Sequence, residues 1–332
     1  MTHDGMTRIN SNANTNSEKK SKIKVLAVAG PTASGKTALA IALALRLGGE
    51  VISCDSMQVY RGMDIGTAKP TPGETRGIPH HMIDIADIGD TLSCADYAAR
   101  ASEIARQVFS RGKLPVFCGG TGLYLDAVLT GNVFADMKTP RGLREELEAL
   151  PPDELYSRLE AVDPESAAAV HPNNVRRVIR ALEIYLTTGE TKSALDARSR
   201  TGGSDFAPVI FGLDFPDRAM LYERIDRRVD LMLEAGLEAE VRRLAPRLRE
   251  APTAAQAIGY KEMLRHIDCT DGSYTLENAA DDIKQATRRY AKRQLTWFRR
   301  NPDMVWLDAS ALNGAAGDEV CADAARRLAE IG

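Results

Sequence analysis

Residues 23–37 read Ile-Lys-Val-Leu-Ala-Val-Ala-Gly-Pro-Thr-Ala-Ser-Gly-Lys-Thr. The run from Ile23 to Ala29 is short, apolar and closed by Gly30-Pro31, the pattern of a buried strand. Thr37 to Leu47 is rich in Ala and Leu, contains no breaker and stops at Gly48-Gly49, which predicts a helix. The eight residues Gly30–Thr37, the last of them opening the helix, match the phosphate-binding pattern G-x-x-x-x-G-K-[ST] in full, and in the strand–loop–helix context the pattern needs. Glycines let backbone N–H groups curl around phosphate oxygens, Lys36 adds a point charge, and the helix N-terminus adds its dipole. Gly30, Pro31, Thr32, Ala33, Ser34, Gly35, Lys36 and Thr37 are therefore candidate ligands of a phosphorylated molecule, and Thr37 is a candidate Mg²⁺ ligand. A tight turn with an incidental lysine is the bland alternative, and the context argues against it.

Outward from the loop, Val51–Cys54 predicts a second strand ending at Asp55, Ala95–Phe109 a helix, and Leu114–Cys118 a strand followed by a helix after Gly119-Gly120. Strands alternating with helices at this spacing indicate a P-loop-type α/β fold, a parallel sheet flanked by helices. From 138 to 200 the strand signal disappears. Val175, Val178, Ile179, Leu182 and Leu186 recur at helical spacing there, which predicts a helical insertion domain. Strand pattern returns at Pro208–Leu213 and Met304–Leu307, and 218–300 reads as mostly helical. The expected organisation is a disordered polar leader at 1–21, an α/β core at 22–137 and 201–332, and the insertion at 138–200.

The 332 residues are 44% hydrophobic and 27% charged, with 43 Lys+Arg against 46 Asp+Glu and a net charge of −3. This is globular composition, with no global basic excess of the kind that marks indiscriminate polyanion binding. No run approaches the length of a membrane helix, and the leader lacks the apolar core of a signal peptide. Five scattered cysteines indicate reduced thiols and a cytosolic protein.

Two features carry chemistry beyond the loop. Asp55 ends the second strand, so in an open α/β sheet it faces the same cleft as the loop and can take a proton from a nucleophile; a cap or metal-shell role is the alternative. Thr121 can place a hydroxyl there, or cap the next helix. The strand Leu114–Cys118 ends in Gly119-Gly120 without the acid that a hydrolytic P-loop enzyme uses to help hold Mg²⁺. Lys284, Arg288, Arg289, Lys292, Arg293, Arg299 and Arg300 fall within 17 residues that hold no acid, interleaved with Tyr290, Trp297 and Phe298. Their mutual repulsion points to a polyanion partner. Arg176, Arg177 and Arg180 form a second cluster, and Arg224 and Arg228 a third spot beside Glu223 and Asp226.

Together these segments resemble the tRNA dimethylallyltransferase (tRNA isopentenyltransferase) family of bacterial type. The resemblance rests on Gly30–Thr37, Ile52–Tyr60, Gly62–Pro70, Pro79–Asp84, Gly119–Tyr124, His171–Arg180, Ala257–Glu262 and Thr287–Gln294. It implies transfer of a dimethylallyl group from its diphosphate to N6 of the adenosine 3′-adjacent to the anticodon, with Mg²⁺ neutralising the diphosphate. The loop then grips a leaving group, and no hydrolytic acid is needed. By the same resemblance Asp55 takes the N6 proton, while Thr121 and an arginine, Arg224 or Arg228, assist the diphosphate or the base. The family's tRNA contacts fall on Asp55, Ser56, Met57, Gln58, Thr121, Arg144, Arg176, Arg177, Val178, Ile179, Arg180, Gln256, Ala257, Ile258, Gly259, Tyr260, Lys261, Lys284, Arg288, Arg289, Lys292 and Arg293. The stretch before Arg144 is one residue longer than the family's usual pattern. The expected partners are tRNA, through its anticodon stem-loop, and dimethylallyl diphosphate, with no membrane and a monomeric chain. A small-molecule kinase using Asp55 as base explains the loop but not the basic helix. A nucleotide-gated RNA-binding protein lacks its hydrolytic acid. His80 and His81 read as structural.

Overall fold

The structure is a computed structural model that describes residues 22–131, 140, 142–201, 203–312 and 314–331. The expected leader and the first residues of the expected insertion lie outside them.

The elements run β1 (Ile23–Ala29), α1 (Lys36–Leu47), β2 (Gly49–Ser53), α2 (Pro72–Thr75), β3 (His80–His81), α3 (Cys94–Ser110), β4 (Leu114–Gly119) and α4 (Gly122–Leu129). Five helices follow: α5 (Leu143–Glu148), α6 (Pro152–Val162), α7 (Pro164–Ala169), α8 (Val175–Thr188) and α9 (Lys192–Thr201). The chain then returns through β5 (Phe206–Asp214), α10 (Arg218–Glu234), α11 (Leu237–Leu248), α12 (Tyr260–Asp268), α13 (Leu276–Phe298), β6 (Val305–Asp308) and α14 (Gly314–Glu330).

The six strands form one parallel sheet in the order β3-β2-β4-β1-β5-β6. Strand alternation sends Val25, Ala27 and Ala29 to one face, packed with Tyr97, Phe117 and Leu125. Leu26 and Val28 go to the other, packed with Leu43, Phe211 and Ala324. Both faces are thus covered by helices, as a parallel sheet requires. The two-residue β3 was not predicted, being too short to carry a periodicity. Its His81 joins Glu50 (2.7 Å) and, through it, Arg111 (2.8 Å), in keeping with a structural role for this histidine.

The carboxyl ends of β1, β2 and β4 meet at one edge, with Ala29 level with Gly119 and Ser53 with Cys118. Helix α13, capped by Thr275 through Asn278, lies across that edge. Ala291 and Leu295 pack on Ala33 of the loop, while Trp297 donates to Asp126 (2.8 Å) of α4. Helices α5, α6, α7 and α8 share a separate apolar cluster around Leu147, Leu159, Val178 and Leu182. Among the described residues no helix is long and apolar enough to cross a membrane.

Candidate active site

The β1–α1 loop turns through Ala33 (φ 62°) and Gly35 (φ 87°) before α1 begins at Lys36. Gly35 occupies a left-handed position that a side chain would strain. Beside the loop opens a cavity of about 310 Å³, lined by Thr32, Lys36, Thr37, Asp55–Gln58, Gly66–Ala68, Arg228, Gln256–Gly259, Tyr290, Arg293 and Gln294, among others. Lys36 reaches back to Pro31 O at 3.3 Å. Its burial holds the ammonium pKa below the ordinary lysine value, and burial lowers that of Arg228 likewise. Two desolvated cations at one cavity wall are stabilised by an anion between them. Ser34 Oγ, enclosed at 3% exposure, has no hydrogen-bond partner among the described residues.

Asp55 Oδ1 accepts from the backbone N–H of Met57 (2.9 Å) and Gln58 (3.3 Å), which fixes the carboxylate just beyond β2. Thr121 occupies the N-cap position of α4, but its side chain caps nothing. Instead its Oγ1 accepts from Ser56 N (3.1 Å) and so braces the Asp55 turn. Tyr290 stands close by; burial pushes its phenol up to about 12, and Asp55 adds to the shift. Much of the remaining lining is apolar, with Ile225, Val229, Met232, Ile258 and Ile283 supplying a surface suited to an alkyl group beside Ser53, His80 and Thr287.

Gln294 is the residue that joins these parts. Its Oε1 accepts from Thr32 N and its Nε2 donates to Gly120 O, both at 2.9 Å. A Cβ on Gly120 would lie 2.0 Å from that Nε2, so a side chain at position 120 would displace the Gln294 amide. Gln294, Tyr290 and Arg228 were missed or left open by the sequence. The signal was present in the spacing: Thr287, Tyr290 and Gln294 share one face of α13, and Ile225, Arg228, Val229 and Met232 one face of α10.

The two candidate arginines sit differently. Arg228 lines the cavity beside Lys36. Arg224 donates to Ala33 O (2.9 Å), lies over the Phe215 ring and, exposed, lines a neighbouring cavity that it shares with Lys36, Thr37 and Arg228.

Of the expected tRNA contacts, Val178 and Ile179 are each 1% exposed, inside the apolar cluster of the insertion. Their side chains do not reach the surface; of the contacts expected on α8, Arg176, Arg177 and Arg180 are exposed. Tyr260 is also fully enclosed, its hydroxyl donating to Glu240 (2.6 Å). Gln256, Ala257, Ile258 and Gly259 line the cavity, and Lys261 is exposed next to Glu262. Arg144 pairs with Glu148 (2.9 Å) and, with Arg180, flanks buried Glu183 (3.4 Å each). On α13 the expected unrelieved repulsion is corrected. Lys284 pairs with Asp230 (2.6 Å), Arg288 with Asp226, and Arg299 with Asp214 (2.5 Å). Arg289, Lys292, Arg293 and Arg300 remain exposed and have no ion pair among the described residues. Trp297 and Phe298 turn inward, so they are packing residues.

No group of three His, Cys, Asp or Glu side chains suited to a metal occurs among the described residues. A magnesium ion needs fewer protein ligands when phosphate oxygens and water complete its shell. The Thr37 hydroxyl and the Asp55 carboxylate, both lining the cavity, supply hard oxygen of that kind.

The profile of the IPP transferase family matches residues 58–301, starting beyond the phosphate loop. The chain is 48% identical over 267 residues to the tRNA dimethylallyltransferase of Halalkalibacterium halodurans, covering 79% of this chain and 84% of that one. It is 47% identical over 266 residues to that of Bacillus subtilis, covering 79% and 83%. A crystal structure of the full-length tRNA isopentenylpyrophosphate transferase from Bacillus halodurans superposes with a TM-score of 0.70 at 45% identity, over 93% of this chain and 98% of that one. A eukaryotic dimethylallyltransferase acting on tRNA gives a TM-score of 0.80 at 32% identity, over 93% and 80%. With loop, carboxylate and basic helix converging on one cavity, and with identity at this level across most of its length, the chain belongs to the tRNA dimethylallyltransferase (IPP transferase) family.

Proposed function

We propose that the chain transfers a dimethylallyl group from dimethylallyl diphosphate to N6 of the adenosine 3′-adjacent to the anticodon of tRNA, releasing diphosphate. The supporting observation is one cavity that joins half-buried Lys36 and Arg228 to the Asp55 carboxylate. The allylic carbon–oxygen bond breaks, a carbon–nitrogen bond forms at N6, and the N6 proton passes to Asp55. Lys36, Arg228 and the loop amides stabilise the charge that grows on the departing diphosphate. Thr121 and Arg224 act on this centre by bracing, the first at the Asp55 turn and the second at Ala33 of the loop. Thr37 would hold Mg²⁺, which supplies charge neutralisation on the diphosphate when bound.

A stacked base cannot enter such a cavity, so the acceptor must come from a loop and be flipped out. The exposed arginines and lysine of α13, with those of α8 in the insertion at 138–200, suit the phosphates around that loop. The protein is proposed to work in the cytosol as a monomer. A kinase would use Asp55 on a hydroxyl, but the helix-borne cations would then have no partner.

The test is incubation with dimethylallyl diphosphate and unmodified tRNA, followed by mass spectrometry of the nucleosides. An isopentenylated adenosine is expected. Its absence, with phosphate transfer from ATP in its place, would overturn the reading. Asp55→Ala should abolish transfer and leave tRNA binding largely intact; retained activity would remove Asp55 as the base.

A further inference from the structure

Two irregular segments wall the cavity away from the phosphate loop: Gly66–Ala68 and Gln256–Gly259. Neither belongs to a helix or strand that would hold it from within, apart from a single 3-10 turn at Ala254–Gln256. Both converge on Glu240 of α11, a carboxylate only 5% exposed. Its Oε2 accepts from Asp64 N (3.0 Å) and Ile65 N (2.9 Å), and its Oε1 from Gly66 N (3.2 Å). Oε1 also accepts from the Tyr260 hydroxyl (2.6 Å), and Tyr260 directly follows the second segment. Gly66 is pressed on the Tyr260 ring so closely that a Cβ there would lie 2.4 Å from Cε2.

The connection continues to the reacting centre. Gln58 Nε2 donates to Thr67 O and Ala68 O (3.2 Å each), and the Gln58 N–H is one of the two donors that hold Asp55. A buried carboxylate with four donors is strongly orienting, since each bond is charge-assisted and every alternative leaves donors unpaired.

We propose that Glu240 is a positioning residue for the transfer: through the 64–66 turn and Tyr260 it sets the two cavity walls, and through Gln58 the Asp55 turn, at the spacing the reaction needs. The proposal rests on the transferase reading above. Glu240 touches neither the phosphate loop nor the exposed cations, so it acts on the alignment of base and allylic carbon and not on the grip on diphosphate.

The experiment compares wild type, Glu240→Gln and Tyr260→Phe in single-turnover transfer at saturating tRNA and dimethylallyl diphosphate. That rate constant does not depend on the fraction of folded enzyme. In Glu240→Gln an amide N–H faces a donor, and misalignment should slow the step by about tenfold or more, with Tyr260→Phe showing a smaller slowing. Affinity for inorganic diphosphate should stay within about twofold, because the loop is untouched. A purely structural role would lower the unfolding midpoint or the reaction amplitude and leave the rate constant alone, which overturns the proposal. If Glu240→Gln does not fold, Tyr260→Phe decides, and an unchanged rate constant there overturns it as well. Failure of wild type to transfer at all would instead overturn the transferase reading.

Discussion

Replacing Gln294 by leucine removes one side chain from the outside of the loop and should be felt inside it. The side chain is 5% exposed and spends both ends of its amide on backbone groups, Thr32 N and Gly120 O. Leucine fills nearly the same volume, so the change removes those two bonds, and the side-chain bond to Tyr290, with little loss of packing. An unpaired buried polar group costs about 1–3 kcal/mol. The Gly120 carbonyl is buried and the Thr32 N–H only partly so, which places the sum at about 2–4 kcal/mol of lost stability. The loop then relaxes to recover part of that penalty by moving the Thr32 peptide, and diphosphate must draw it back. If about 1.4 kcal/mol of the penalty opposes binding, affinity for inorganic diphosphate falls about tenfold. Calorimetric titration with magnesium diphosphate reads that number, and filter binding of tRNA in parallel should be nearly unchanged. Gly120→Ala offers an independent route to the same state, since its Cβ collides with the Gln294 amide and must expel it. Diphosphate affinity within about twofold of wild type in a folded Gln294→Leu protein would refute the claim that this amide sets the loop.

Lys36 titrates below an ordinary lysine because burial disfavours its charge, and diphosphate restores that charge. Diphosphate binding in the alkaline range should therefore take up a proton, visible as a heat that changes with buffer ionisation enthalpy; a buffer-independent heat there would contradict it. Glu50 is desolvated, yet its hydrogen bonds from His81 and Arg111 outweigh burial and hold its carboxyl below the ordinary value. A depressed folded-state pKa gives stability above the unfolded-state value that is lost as pH falls through the folded one. Denaturation midpoints should thus drop in acid for wild type and less steeply for Glu50→Gln; equal slopes would sink the argument. Arg289→Ala and Lys292→Ala should each weaken tRNA binding and shorten the salt dependence by roughly one unit in log–log slope, if each meets a phosphate. Arg288→Ala should cost stability and leave that slope alone, because its guanidinium is already bound to Asp226.

The contrast between Arg288 and Arg289 shows where sequence reading reaches its limit. The strand, loop and first helix were legible because their physics is local: an apolar run, glycines at fixed positions and a helix former lie within 25 residues of one another. The charge pattern of α13 was misjudged because its neutralising acids are distant in the chain, Asp226 being 62 residues from Arg288 and Asp214 being 85 from Arg299. Proximity along the chain showed only like charges, whereas proximity in space pairs Lys284 and Arg288 with acids of α10 and Arg299 with one of β5, and leaves Arg289 and Lys292 toward solvent. Val178 and Ile179 fail for the opposite reason. Their place in the apolar stripe of α8 was plain, and a contiguous range of contacts taken from resemblance overrode a helical period that sends neighbours to different faces. The same geometry explains why Gln294 was overlooked amid arginines. One turn of helix separates a residue that meets solvent from one that holds the phosphate loop, so α13 can present cations outward and an amide inward within four residues. A polyanion bound to its outer face would thereby be fixed to the same rigid element that braces the phosphate loop, with Arg293, exposed and yet lining the cavity, at the boundary between the two.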